Sequence, residues 1–234
     1  MHLRRFTRLV LFTVATMAAL PGLASAEVIF ELGQIYNGVT PAGSAPWARA
    51  TFTDVILEPN TVKLKMENLA TGDAGQCITN WTFNVSDEGF LDNLEFRYIA
   101  AESPGSNEAD TIVNANKIKA SGGGTLGFGF DIGFDFDTAG TGGPISSGRF
   151  MQGETCVYEI EYKGTELGFG AALFDAKTSN GLLTSVHIQG IPLGSGTTSG
   201  AATVPEPSAL VLWSLFGAAG MGIAIARRRR VRNG

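Results

Sequence analysis

Histidine is almost missing from this chain. Of 234 residues only His2 and His187 are histidine, and His2 precedes an apolar run near the N-terminus. That leaves one imidazole for the rest of the molecule, and it stands in Val186-His187-Ile188, on the face opposite its two apolar neighbours. A lone strand histidine on a solvent face is read as a surface residue, not as a general base. Cysteine is as scarce, with only Cys77 and Cys156, too few ligands for a zinc site. No Gly-x-Ser-x-Gly elbow, phosphate-binding loop or dinucleotide fingerprint occurs. Residues 27–203 contain no amphipathic helical pattern of useful length, and they are poor in positive charge. Nine basic residues there face 21 acidic ones, a net charge near −12, against −5 for the whole chain. So acidic a body excludes a nucleic-acid partner, whose phosphates demand a basic patch.

What the chain does have is concentrated first at its ends. Arg4, Arg5 and Arg8 precede the apolar Leu9–Leu20, and Ala24-Ser25-Ala26 is a small-x-small cleavage site. Residues 1–26 are therefore read as a signal peptide for Sec export, cut after Ala26. At the other end, Ser208–Ala226 is 19 uncharged, mostly apolar residues. At ~1.5 Å per helical residue such a run nearly spans a ~30 Å hydrocarbon core. Arg227, Arg228, Arg229 and Arg230 follow, with Arg232 beyond. Clustered cations stay on the cytoplasmic side, so the body faces outward and the arginines act as a cytoplasmic stop.

Just before that run stands Val204-Pro205-Glu206-Pro207. A Pro-Glu-Pro signature, a short membrane helix and a terminal arginine cluster, in that order, resemble the PEP-CTERM sorting signal of exopolysaccharide-producing bacteria. The resemblance covers residues 204–234. It implies recognition, and cleavage near Pro205-Glu206-Pro207, by an exosortase in the inner membrane, with delivery to the cell surface or extracellular matrix. Shorter stretches, Pro46–Asp54, Trp81–Asn84 and His187–Gly190, resemble segments of exported bodies that carry this tail.

Between the ends the pattern has period two. Val62, Leu64 and Met66 alternate with Lys63, Lys65 and Glu67; Leu94, Phe96 and Tyr98 alternate with Glu95 and Arg97. Cys77, Thr79, Trp81, Phe83 and Val85 fall on one alternating face, and Cys156, Tyr158, Ile160 and Tyr162 on another. Further strands are expected in Val28–Tyr36, Trp47–Leu57, Leu126–Asp137, Leu167–Phe174 and Thr184–Ile191, with Gly, Pro and Asn turn signals between them. This predicts an all-β body over residues 27–193, an antiparallel β-sandwich of jelly-roll-like or immunoglobulin-like form, with a closed barrel as the alternative. Residues 194–203, rich in Gly, Ser and Thr, are expected to form a flexible linker. Two cysteines on apolar strand faces of an exported chain predict a Cys77–Cys156 disulfide.

One constellation in the body bears on chemistry. Opposite the phenylalanines of 128–136 lie Asp131, Asp135 and Asp137. They are either a solvated acidic face or, if the strand bulges, hard oxygen ligands for Ca²⁺; no other cofactor is expected. The functional expectation is a non-catalytic component of the cell surface or biofilm matrix, associated with exopolysaccharide. The alternative is a carbohydrate-binding module using an exposed platform of Trp47 and Tyr36.

Overall fold

The computed structural model describes residues 26–72, 75–136 and 149–205, which build two antiparallel sheets. One sheet has five strands in the order β1 (Glu27–Leu32), β3 (Ala48–Asp54), β4 (Thr61–Asn68), β10 (Thr155–Tyr162) and β6 (Leu94–Tyr98). The other runs β2 (Gln34–Gly38), β12 (Gly196–Thr203), β11 (Thr184–Leu193), β5 (Cys77–Phe83), β8 (Phe128–Asp135) and β7 (Asp110–Lys119). A two-residue strand, β9 (Phe150–Met151), pairs with the start of β5. The sheets face each other across an aromatic layer. Phe52 meets Phe83 with ring centroids 5.0 Å apart, and Tyr158 meets Phe134 at the same spacing. Both contacts join residues of opposite sheets, so the all-β sandwich class is as the alternation predicts.

The clearest pattern in the sequence gives the clearest strand. In β4 Val62, Leu64 and Met66 are wholly buried, while Lys63 and Lys65 point outward into ion pairs with Glu102 and Glu67. Glu31–Arg49 and Arg97–Glu159 lie on the same solvated face. Exposed pairs of this kind contribute little individually; burial of the opposite face holds the sheet.

Elsewhere the chain departs from the expected elements, each time for a local reason. Val28–Tyr36 is not one strand. It breaks at Gly33, where the chain leaves the first sheet and enters the second as β2, and the Gly33 N–H bonds to the Thr203 carbonyl at 3.1 Å. Leu167–Phe174 is not a strand either. Its end is a 3₁₀ turn, Ala171–Phe174, held by a hydrogen bond from the Ala171 N–H to Asp54 Oδ1 (2.7 Å) and by Phe174 stacking on Phe52. Strand β7 leaves no alternation in the sequence, because it is a sheet edge with most of its residues exposed on both faces.

The flexible linker is overturned. Gly196–Thr203 is β12, paired with β11 on one side and β2 on the other. A two-residue Gly194-Ser195 connection joins it to β11, with Gly194 at φ +61, as tight hairpins require. Small residues here reflect close packing instead of mobility. Ala201 and Ala202 are fully buried, and a Cβ on Gly200 would run into the Val39 carbonyl. The body thus continues to Thr203.

Candidate functional site

The described part of Val204-Pro205-Glu206-Pro207 begins where β12 ends. Val204 packs partly against the inter-sheet core and Pro205 is exposed. Both line a groove with Ile29, Glu31, Gly33, Ala45 and Pro46, so the tail leaves the body alongside β1. Glu206, Pro207, the run Ser208–Ala226 and the cluster Arg227–Arg230 lie outside the described residues. Among the described residues no helix is long and apolar enough to cross a membrane. At the N-terminal junction Ala24 also lies outside them. Ala26 is held at the start of β1: its N–H donates to Asp54 Oδ2 (3.0 Å) and its carbonyl accepts from the Asp54 N–H (3.1 Å).

The aspartates of β8 do not form one constellation. Asp131 is only 3 % exposed, so it is no part of a solvated face. Its Oδ2 accepts from the Val85 N–H at 2.9 Å and its Oδ1 from the Asn116 N–H at 2.7 Å. The need is visible in the register. Across the β7–β8 pair, Val113 opposes Ile132 but Ile118 opposes Phe130, so four residues of β7 bulge past Asp131. Asn116, at the bulge, has φ +53, and its N–H has left the ladder. Asp131 supplies the acceptor that the bulge takes away, although Asn116 itself is exposed. Asp135 instead accepts from the Asn80 side chain, and Asp137 lies outside the described residues. Among the described residues no group of three or more His, Cys, Asp or Glu side chains is arranged to hold a metal.

Asp135 does line a polar cleft on the outer face of the second sheet, with Thr79, Asp110, Ser121, Phe136, His187 and Gln189. Asp110 stands directly across the ladder from Asp135. The expectation of an exposed His187 fails here. The face is the one expected, but the glycine-rich loop at Gly122 covers it, and a Cβ on Gly122 would clash with the imidazole ring. Nδ1 is 2.9 Å from Thr79 Oγ1, while Nε2 is buried without a hydrogen-bond partner. Burial lowers the pKa of His187 below its usual value, favouring the neutral ring.

The disulfide is also overturned: Cys77 and Cys156 are both buried free thiols. The reason is a β-bulge that alternation cannot reveal. His187 pairs with Asn80 and Ile188 with Ile78, so Thr79 is an extra residue in β5 and the faces exchange there. Ile78, Trp81 and Phe83 enter the inter-sheet core, while Cys77 does not; Cys156 does. The two thiols belong to different layers. Burial pushes the Cys77 thiol up and the Cys156 thiol up to about 12. Thiolate is the reactive form, so both should resist iodoacetamide at neutral pH in the folded chain and react only after unfolding. Recovery of a Cys77–Cys156 cross-linked peptide from a non-reducing digest would count against this.

The aromatic platform is not formed. Trp47 is 6 % exposed, packed in the core with its indole N–H directed to the Gly43 carbonyl. Tyr36 is half-buried, its hydroxyl 2.6 Å from Ser185 Oγ. No family model matches the chain, and no curated protein matches it either.

Proposed function

We propose that the chain is a non-catalytic exported protein of the PEP-CTERM type, processed by an exosortase and delivered to the cell surface or the exopolysaccharide matrix of a biofilm. The observation that carries this reading is the succession of elements at the end of the sequence: Val204-Pro205-Glu206-Pro207, 19 residues without charge, then four arginines. The signal-peptide pattern of residues 1–26 and the strongly acidic body fit the same route. The body is read as a jelly-roll-like or immunoglobulin-like sandwich whose surface, not a catalytic centre, meets the matrix. In this scheme Ser208–Ala226 is a temporary inner-membrane anchor, and Arg227–Arg230 hold it in register while the Pro-Glu-Pro site is cut. The carbohydrate-binding alternative loses its motive with Trp47 in the core.

The expected mature protein ends near Pro205–Pro207. Mass spectrometry of the C-terminal peptide from native envelope or matrix material checks it. Intact residues 208–234 in nearly all of that material would replace the sorting reading with a permanent anchor.

A further inference from the structure

Both ends of the folded body lie beside one strand, β1. Ala26, at the signal-peptide junction, is tied by Asp54 to the start of β1. At the other end of β1 the Gly33 N–H bonds to Thr203, and Val204–Pro205 continue beside Ile29 and Glu31. β1 has six residues and is an edge of its sheet. At ~3.3 Å per residue it is about 20 Å long, so the two membrane-directed segments leave the body within about that distance.

No tether separates body and anchor, because residues 196–203 are a strand. Only Glu206 and Pro207 stand between Pro205 and the apolar run beginning at Ser208. Fully extended, two or three residues reach only about 10 Å. We propose that in the anchored precursor the β1 edge, with Ile29, Ala45 and Pro46 beside the tail, is the face of the sandwich that rests on the bilayer surface. The body then lies side-on against lipid instead of standing off on a stalk. This rests on the anchor reading of the tail.

The chemistry of the edge suits the headgroup layer. Ile29 is 52 % exposed and sits between Glu27 and Glu31, and Glu31 is neutralised by Arg49 at 2.7 Å. An edge strand has backbone groups that need water or headgroup partners, which places it at the interface and not in the hydrocarbon. With carboxylates on both sides of Ile29, the surface fits zwitterionic lipid better than anionic lipid. A second copy of the chain fits less well. Antiparallel self-pairing centred on Ile29 would set Glu27 opposite Glu31, like charge against like charge.

The test uses the full chain in phosphatidylcholine nanodiscs, with a nitroxide on Ile29→Cys, Ala45→Cys or Thr111→Cys. The native cysteines are buried, and the unsubstituted chain serves as the labelling control. Ala45 and Thr111 are both exposed in the folded body, and Thr111 lies on β7, the edge strand of the other sheet. Labels at 29 and 45 should be several-fold less accessible to a water-soluble nickel relaxant than the label at 111, and more accessible to oxygen. Equal nickel accessibility at all three sites, in chains that co-elute with nanodiscs, overturns the side-on face alone. A chain that does not enter nanodiscs at all overturns the anchor reading and this inference with it.

Discussion

Truncating Phe83 to alanine should lower the free energy of unfolding by about 3–5 kcal/mol, the range for a fully buried phenylalanine. Phe83 is one of the rings that join the two sheets. It lies on β5, yet it touches Phe52 and Phe30 of the opposite sheet at 5.0 and 6.5 Å, and Trp81 and Phe134 of its own at 5.9 and 6.0 Å. Removing it opens a cavity bounded by four aromatic rings, none of which can collapse without moving a strand. A loss of that size is a large share of the roughly 5–15 kcal/mol that holds a typical domain. Urea unfolding of the body followed by tryptophan fluorescence measures it. Phe83→Leu should recover much of the loss, because it restores most of the volume. Leu57→Ala supplies the contrast. Leu57 is 88 % exposed at the β3–β4 turn, and its removal should fall within about 0.5 kcal/mol of no effect. A loss at Phe83 no larger than at Leu57 would mean that the sheets do not meet there.

The class of the fold was legible because alternation is the direct imprint of a half-buried strand. Val62, Leu64 and Met66 against Lys63 and Lys65 could hardly be read otherwise, and β4 is where reading and structure agree best. Alternation fails where the backbone changes phase. Nothing in Cys77-Ile78-Thr79-Asn80-Trp81 marks Thr79 as the extra residue, yet that one insertion moved Cys77 out of the core layer and removed the disulfide. Composition misled at 196–203 for a different reason. Gly, Ser, Thr and Ala describe a linker when the chain is solvated, and equally a strand whose neighbours leave room for nothing larger. His187 was assigned to the correct face and the wrong environment, since the loop at Gly122 that covers it is distant in sequence. Of Val204-Pro205-Glu206-Pro207, the structure adds only where the first two residues emerge.

Asp131 carries the second large effect. Its two carboxylate oxygens close off the end of β5, through the Val85 N–H, and the bulge of β7, through the Asn116 N–H. Asp131→Ala leaves the buried Val85 N–H without an acceptor, at about 1–3 kcal/mol, while the N–H of the exposed Asn116 turns to water at little cost. Bonds to a carboxylate sit at the upper end of such ranges, so a total loss of roughly 2–3 kcal/mol is expected. Asp131→Asn is the sharper variant. It keeps the shape and one acceptor oxygen, but turns an amide N–H₂ toward the other donor, so it should fall between wild type and alanine. Amide exchange gives a residue-specific readout: the Val85 and Asn116 N–H groups, each bonded to Asp131, should be protected in the wild type and released in Asp131→Ala. The same variants separate the brace from a calcium ligand. A cation bound only by the native state would raise the melting temperature of the wild type at millimolar Ca²⁺, and not that of Asp131→Asn. The geometry predicts no such rise, because the oxygens are already engaged by backbone. A calcium-dependent increase confined to the wild type would show that Asp131 gives up its amides to a metal, and would return β8 to the role its sequence first suggested.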